Sequence, residues 1–159
     1  MPETAYDFTL TTLAGAPYPL AALRGRPMLI VNTASQCGFT PQYAALEALS
    51  ERAPSGLVVI GVPSNDFGNQ EPGDAAAIGE FCQRNYGVSF PLMEKAHVKG
   101  RDAAPLFRWL AAEGGFLSRP RWNFYKYLIG PDGRLADWFA SLTKPESEKM
   151  AQAIGKMKV

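Results

Sequence analysis

The chain has 159 residues, 47% hydrophobic and 19% charged, which suits one domain with a buried core and excludes an intrinsically disordered chain. Sixteen Lys and Arg against fifteen Asp and Glu leave a net charge of +1, without the basic excess that a nucleic-acid surface needs. Two cysteines, Cys37 and Cys82, and one histidine, His97, exclude a four-ligand Cys/His zinc site and a disulfide scaffold, and confine any histidine-dependent triad to one residue.

The polar start of the chain lacks the basic and apolar parts of a signal peptide. No stretch nears the roughly 18 to 20 apolar residues that span a membrane. A cytoplasmic protein with reduced thiols and no membrane span is the expectation, although a processed precursor lacking its leader shares these features.

Residues 8–13 and 18–23, split by Ala14-Gly15-Ala16-Pro17, read as a β-turn-β opening. Residues 28–33, MLIVNT, form a continuous apolar strand of the kind buried on both faces of a parallel sheet. A loop over 34–39 follows. Thr40 and Pro41 stand as N-cap and N1 of a helix to about Ala53, with Tyr43, Leu46 and Leu49 inward. Pro54-Ser55-Gly56 ends it, and 57–62, LVVIGV, is a second buried strand, so 28–62 reads as one right-handed βαβ unit.

Residues 63–73, PSNDFGNQEPG, are turn-formers and polar side chains, a loop just after a strand end, where open α/β sheets place their ligands. Asp74 to about Tyr86 is the next helix, with Ile78, Phe81 and Cys82 on its buried stripe. A short extended piece around 90–93 precedes a loop carrying His97. Asp102 is expected to cap a helix from about Ala104, with Leu106, Phe107 and Leu110 inward. Residues 122–129 and 135–139 read as strands joined by Gly130-Pro131-Asp132-Gly133. The last helix runs from Pro145 to about Met157 and turns Met150, Ile154 and Met157 inward. No repeat or linker divides the chain, so a single domain over 1–159 is expected.

Cys37 lies in a loop after a buried strand and shortly before a helix, where amide donors and the helix dipole favour a thiolate. Gly38 lets the backbone turn and leaves the sulfur approachable. From position alone, a half-buried structural cysteine and a nucleophile both stay open. No Lys or Arg lies within ten residues, so neutral donors must do the stabilising. Gln70 in the polar loop and the pair Trp122-Asn123 offer amide and indole N–H groups. Taken singly, each also reads as a solvated loop residue, a core filler and a turn former.

The segment Asn32-Thr33-Ala34-Ser35-Gln36-Cys37-Gly38-Phe39-Thr40-Pro41-Gln42-Tyr43 resembles the active-site segment of the glutathione peroxidase family. Residues 63–73 resemble that family's second signature, and Trp122-Asn123-Phe124 with Lys126 its third, in the same order and spacing over nearly the whole chain. The resemblance implies an α/β, thioredoxin-like fold, a central mixed β-sheet flanked by helices. It also implies a catalytic tetrad that falls on Cys37, Gln70, Trp122 and Asn123. The expected activity is that of a thiol peroxidase acting on hydrogen peroxide and organic hydroperoxides, with Cys37 passing through a sulfenic acid.

The position of Cys82 matches the resolving cysteine of thioredoxin-dependent members, which implies a Cys37–Cys82 disulfide; a packed helical cysteine is its other reading. A disulfide needs Cα atoms within about 7 Å, so a helix-borne Cys82 requires local unfolding to reach Cys37. Three departures from the family pattern stand out. Ser64 holds a place where many relatives carry another Cys, Asp66 replaces a common Gln, and Tyr125 replaces a usual Thr. The chain also lacks the loop and helix that tetrameric, glutathione-using members insert before the third motif. A monomer reduced by thioredoxin is therefore expected, with glutathione the other candidate reductant.

A thioredoxin-type oxidoreductase needs a second Cys three residues on, where Thr40 stands. A peroxiredoxin places Thr three residues before its reactive Cys, where this chain has Ala34. A peroxide-sensing relay that signals through Cys37 oxidation is the rival of a different class. His97, flanked by Lys95 and Lys99, reads as a surface residue, and Trp109 and Trp138 read as packing. Neither G-x-G-x-x-G nor G-x-x-x-x-G-K-[ST] occurs, so no nucleotide or metal cofactor is expected.

Overall fold

The computed structural model describes residues 2–157. β1 (Thr9–Thr11) and β2 (Pro17–Pro19) pair antiparallel, with Leu10 opposite Tyr18. The second strand is shorter than the pattern over 18–23 implies. Leu20–Leu23 winds instead into a 3-10 turn that carries Leu20 fully into the core.

β3 (Met28–Thr33) is buried at every position, as its unbroken apolar run demands. It continues through α1 (Gln42–Arg52) into β4 (Val58–Pro63), which pairs parallel to it from Met28 against Val58 to Thr33 against Pro63. α2 (Ala75–Tyr86) starts at Asp74, whose carboxylate accepts the Ala77 N–H at 2.9 Å. α3 (Pro105–Gly114), β5 (Lys126–Ile129), β6 (Leu135–Phe139) and α4 (Glu148–Gly155) complete the regular elements. β5 runs antiparallel to β3 and β6 antiparallel to β5, giving the order β4-β3-β5-β6. Among the described residues the sheet is mixed and flanked by four helices.

Strand alternation sorts the core into two layers. Met28 and Ile30 face Leu106, Phe107 and Leu110 of α3 on one side of the sheet. Leu29 and Val31 face the other side, with Tyr43 and Leu46 of α1, Cys82 of α2 and Ile154 of α4. Gly61, in the middle of β4, lets the 90–93 segment dock on that strand's edge. Its N–H reaches Pro91 O at 2.9 Å and its C=O accepts the Met93 N–H at 2.8 Å. A Cβ at Gly61 would lie 2.7 Å from Leu92 Cδ2.

Four further local expectations are corrected. Thr40 does not cap α1; the helix begins at Gln42 after Pro41, and the Thr40 hydroxyl is turned back into the Cys37 loop. Asp102 does not cap α3, whose N-cap is Ala104 without a side-chain bond; Pro105, lacking an N–H, opens the helix with one donor fewer to satisfy. Residues 122–125 are not strand. Phe124 takes a left-handed φ of +63°, which breaks the ladder, and β5 begins only at Lys126. The last helix is also shorter than expected, starting after the Ser147 N-cap, and Met157 is half-buried beyond its end.

Candidate active site

Cys37 sits in the loop between β3 and α1, 7% exposed. The loop is braced by Thr40, whose Oγ1 accepts the Cys37 N–H at 2.9 Å while its O–H donates to Ala34 O at 2.8 Å. The Phe39 N–H points at Cys37 Sγ from 3.4 Å, a backbone donor aimed where negative charge develops on a thiolate.

The loop after β4 lies beside it. The Gln36 N–H, one residue before the cysteine, donates to Gln70 O at 3.0 Å. The Gln70 side chain accepts from Asn123 Nδ2 through its Oε1 at 3.0 Å, which leaves its own NH2 group as a donor for another acceptor. Gly68 makes room for this arrangement at φ +66°; a Cβ there would come within 3.0 Å of the Trp122 ring and 3.4 Å of the Gln70 amide. Trp122 packs tilted on Phe67, ring centroids 6.1 Å apart, and touches both core layers, including the one that holds Cys37.

Asn123 is fully buried, and its position is set by the segment around it. Asn32, near the end of β3, donates through Nδ2 to Trp122 O at 2.9 Å and accepts the Tyr125 N–H on Oδ1 at 3.0 Å. Its backbone C=O takes the Phe124 N–H at 2.6 Å. One buried asparagine thus shapes the whole turn that presents Trp122 and Asn123. Its only trace in the sequence is a polar residue inside an otherwise apolar strand. Cys37, Gln70, Trp122 and Asn123 therefore converge from three loops.

The glutathione peroxidase family matches residues 5–111. The chain belongs to that family. It is 50% identical over 145 residues to the glutathione peroxidase-like peroxiredoxin of Chlamydomonas reinhardtii, covering 89% of this chain and 90% of that protein. It is 44% identical over 153 residues to the hydroperoxy fatty acid reductase of Synechocystis sp., covering 91% and 90%. The solved structure of Trgpx in apo form superposes with a TM-score of 0.74 at 37% identity, over 99% of this chain and 100% of that one. The fold is thioredoxin-like and the protein is a thiol peroxidase.

The peroxidase keeps its second thiol apart from the first. Cys82 lies on the inner face of α2, 1% exposed, and both cysteines are free. Burial pushes the Cys82 thiol above its ordinary pKa; the Tyr43 hydroxyl lowers it in part, and the charge of Glu71 raises it further. Lys126, of the third motif, is also fully buried. Its Nζ donates to Thr143 O at 2.6 Å, Ser141 O at 3.1 Å and Ala140 O at 3.4 Å, and burial brings its pKa down to about 7 against the pull of Glu146. The segment that Lys126 holds also supports the site, because the Ser141 hydroxyl donates to Asn123 O.

The departures from the family pattern have structural places. Ser64 is buried and accepts the Asp66 N–H. Asp66 accepts the Val98 N–H at 2.7 Å and pairs with His97 at 2.7 Å, which ties the second-signature loop to the 97–99 segment. His97 itself keeps 67% of its side chain exposed, as expected of a surface residue. Tyr125 stacks on Trp138 at 6.2 Å. A cavity of about 650 Å³ opens against Trp122, lined among others by Phe67, Gly68, Lys99, Phe107 and Arg108. Among the described residues no helix is long and apolar enough to cross a membrane, and no group of three or more His, Cys, Asp or Glu is placed to hold a metal ion.

Proposed function

We propose that this peroxidase works as one domain, 1–159, through Cys37 as the attacking sulfur, with Gln70 and Trp122 as its neutral donors, Asn123 as the catalytic-tetrad member that orients Gln70, and Cys82 as the resolving thiol. The carrying observation is the Asn123–Gln70 hydrogen bond, which fixes the Gln70 carbonyl and leaves its NH2 free to donate beside the Cys37 loop. The Cys37 thiolate attacks the terminal oxygen of a hydroperoxide, and the O–O bond breaks. Water or an alcohol leaves, and the sulfur becomes a sulfenic acid. The Cys82 thiol then attacks that sulfur, forming the Cys37–Cys82 disulfide and releasing water. Because Cys82 is buried in α2, this step requires the helix to open locally.

The substrate range is organic hydroperoxides as well as hydrogen peroxide; the cavity against Trp122 is lined by neither Cys37 nor Gln70 and does not decide between them. The relative named hydroperoxy fatty acid reductase supports that range. The reductant is thioredoxin, because a protein dithiol can reduce an intramolecular disulfide by exchange. Relatives named glutathione peroxidase-like peroxiredoxins support the same cycle. The enzyme acts as a cytoplasmic monomer. The test compares peroxide turnover of wild type and Cys82→Ser with thioredoxin and with glutathione. Thioredoxin-dependent turnover is expected to vanish in Cys82→Ser. Retained thioredoxin turnover, or equal glutathione turnover by both proteins, assigns reduction directly to Cys37.

A further inference from the structure

Between the two sulfurs lies a cluster of buried polar groups that the steps above do not use. Thr33 Oγ1, Ser35 Oγ, Tyr43 Oη and Glu71 Oε2 are all buried and without a hydrogen-bond partner among the described residues. Buried polar atoms are almost always satisfied, so four orphans in one neighbourhood call for a role. Glu71 is 1% exposed, a carboxyl inside the protein whose charge no Lys or Arg side chain there pairs. Ser35, two residues before Cys37, faces the Glu71 carboxyl, and burial raises the Glu71 pKa despite Ser35 and Lys95, whose Nζ donates to the Glu71 backbone C=O at 3.1 Å. On the other side, the Tyr43 hydroxyl faces the Cys82 thiol and Thr33, without a hydrogen bond of ordinary geometry. The groups that meet Glu71 electrostatically are therefore Tyr43 from α1, Cys82 from α2 and Lys95 from the loop after the 90–93 segment. A cavity of about 200 Å³, lined by Ser35, Gln36, Glu71, Ala77, Ile78 and Phe81, separates the Cys37 loop from α2 at this place.

We infer that Glu71 is the proton acceptor of the resolving step, taking the Cys82 proton as the thiol moves toward Cys37. The inference rests on Cys82 being the resolving thiol. In the step, the Glu71 carboxylate accepts the proton from Cys82 S–H, directly or through the Tyr43 hydroxyl. The resulting thiolate attacks Cys37 Sγ, the S–S bond forms and the S–O bond of the sulfenic acid breaks. The departing hydroxide takes the proton back from Glu71 and leaves as water. Proton and electrons balance without an outside reagent. Glu71 stays beside the Cys37 loop after α2 has opened, because the preceding Gln70 accepts the Gln36 N–H at 3.0 Å and the Glu71 N–H is itself held by Asn65 Oδ1 at 2.9 Å. Glu71 thus lines the gap between α2, which the thiol leaves, and the Cys37 loop, which it reaches.

The test reacts full-length reduced protein with one equivalent of hydrogen peroxide, quenches with a thiol-blocking reagent, and follows the Cys37–Cys82 bridge by mass spectrometry from about pH 5 to about pH 9. Each time course is normalised to the sulfenic acid formed in the same sample. Wild type is expected to show a rise through the ionisation of a carboxyl. Glu71→Gln loses that limb and bridges about 10²-fold more slowly at neutral pH, and Glu71→Asp restores part of the limb. A purely electrostatic role predicts the opposite sign, since removing a negative neighbour lowers the Cys82 pKa and speeds bridging. Glu71→Gln bridging as fast as wild type, or faster, therefore overturns the inference. Should Glu71→Gln not fold, the wild-type profile decides: a rate that climbs only with hydroxide across the range overturns it. If wild type forms no bridge at all, the resolving role of Cys82 falls with it, whereas a normal bridge with an unchanged Glu71→Gln profile refutes only the role of Glu71.

Discussion

Asn123 directs its amide N–H groups to Gln70 Oε1 at 3.0 Å and Phe67 O at 3.5 Å. It is fully buried, so its effect on the reacting sulfur runs largely through the orientation it imposes on Gln70. Removing that anchor allows the Gln70 amide to turn, presenting a lone pair in place of a donor to the developing charge. Asn123→Ala is expected to slow peroxide-dependent oxidation of Cys37 by about 10²-fold, the scale of one lost donor in an oxyanion site. The decisive measurement is a double-mutant cycle. In a Gln70→Ala background, Asn123→Ala should add little, because the two act as a unit. Additive losses mean instead that Asn123 meets the substrate on its own. At this scale the sequence discloses residue types but not their meeting. From its place after a strand, Cys37 reads equally as a structural cysteine and as a nucleophile. The Gln70–Asn123 contact bridges 53 positions, and only the three motifs in register bring it to notice.

The elements differ in how openly they declare themselves. The strand at 28–33 and the helix after Asp74 are legible because their apolar spacing and cap agree with their packing, and the strand at 135–139 because the Gly130-Pro131-Asp132-Gly133 turn precedes it. The turn over 122–125 is not, since aromatic residues suit a strand and the positive φ of Phe124 is imposed by Asn32 from ninety positions away. α2 carries a further consequence, because it must open for Cys82 to reach Cys37. Its N-terminus is held by the Asp74 cap on Ala77. Asp74→Ala is expected to cost about 1 kcal/mol of stability. It should also accelerate the Cys37–Cys82 bridge, since a looser first turn lowers the cost of local opening. Urea unfolding and quenched mass spectrometry read the two effects separately. A destabilised variant that bridges more slowly would mean that α2 must stay intact for resolution.

On the scale of the whole molecule, the mixed sheet explains why three distant segments share one site. β3 and β4 are parallel, so the Cys37 loop and the Gln70 loop leave the sheet at the same end. β5 runs the other way, so the segment that precedes it, Trp122-Asn123, enters at that end too. Lys126, the first residue of β5, fastens this end by donating to three carbonyls between Ala140 and Thr143. Its ammonium is buried, which brings its pKa from 10.5 to about 7. Between those values the unfolded chain binds a proton at this position and the folded chain does not, so the contribution of Lys126 to stability rises with pH from about 7. Below that range both states are protonated and the slope disappears. Lys126→Met removes the titration while keeping the apolar stem. Urea midpoints measured at about pH 6 and about pH 9 should therefore rise more steeply in wild type than in Lys126→Met. Parallel pH dependence in the two proteins would show that the carbonyl ring holds the ammonium charged throughout. In that case Lys126 fastens the active-site end of the sheet with a permanent cation rather than a titrating one.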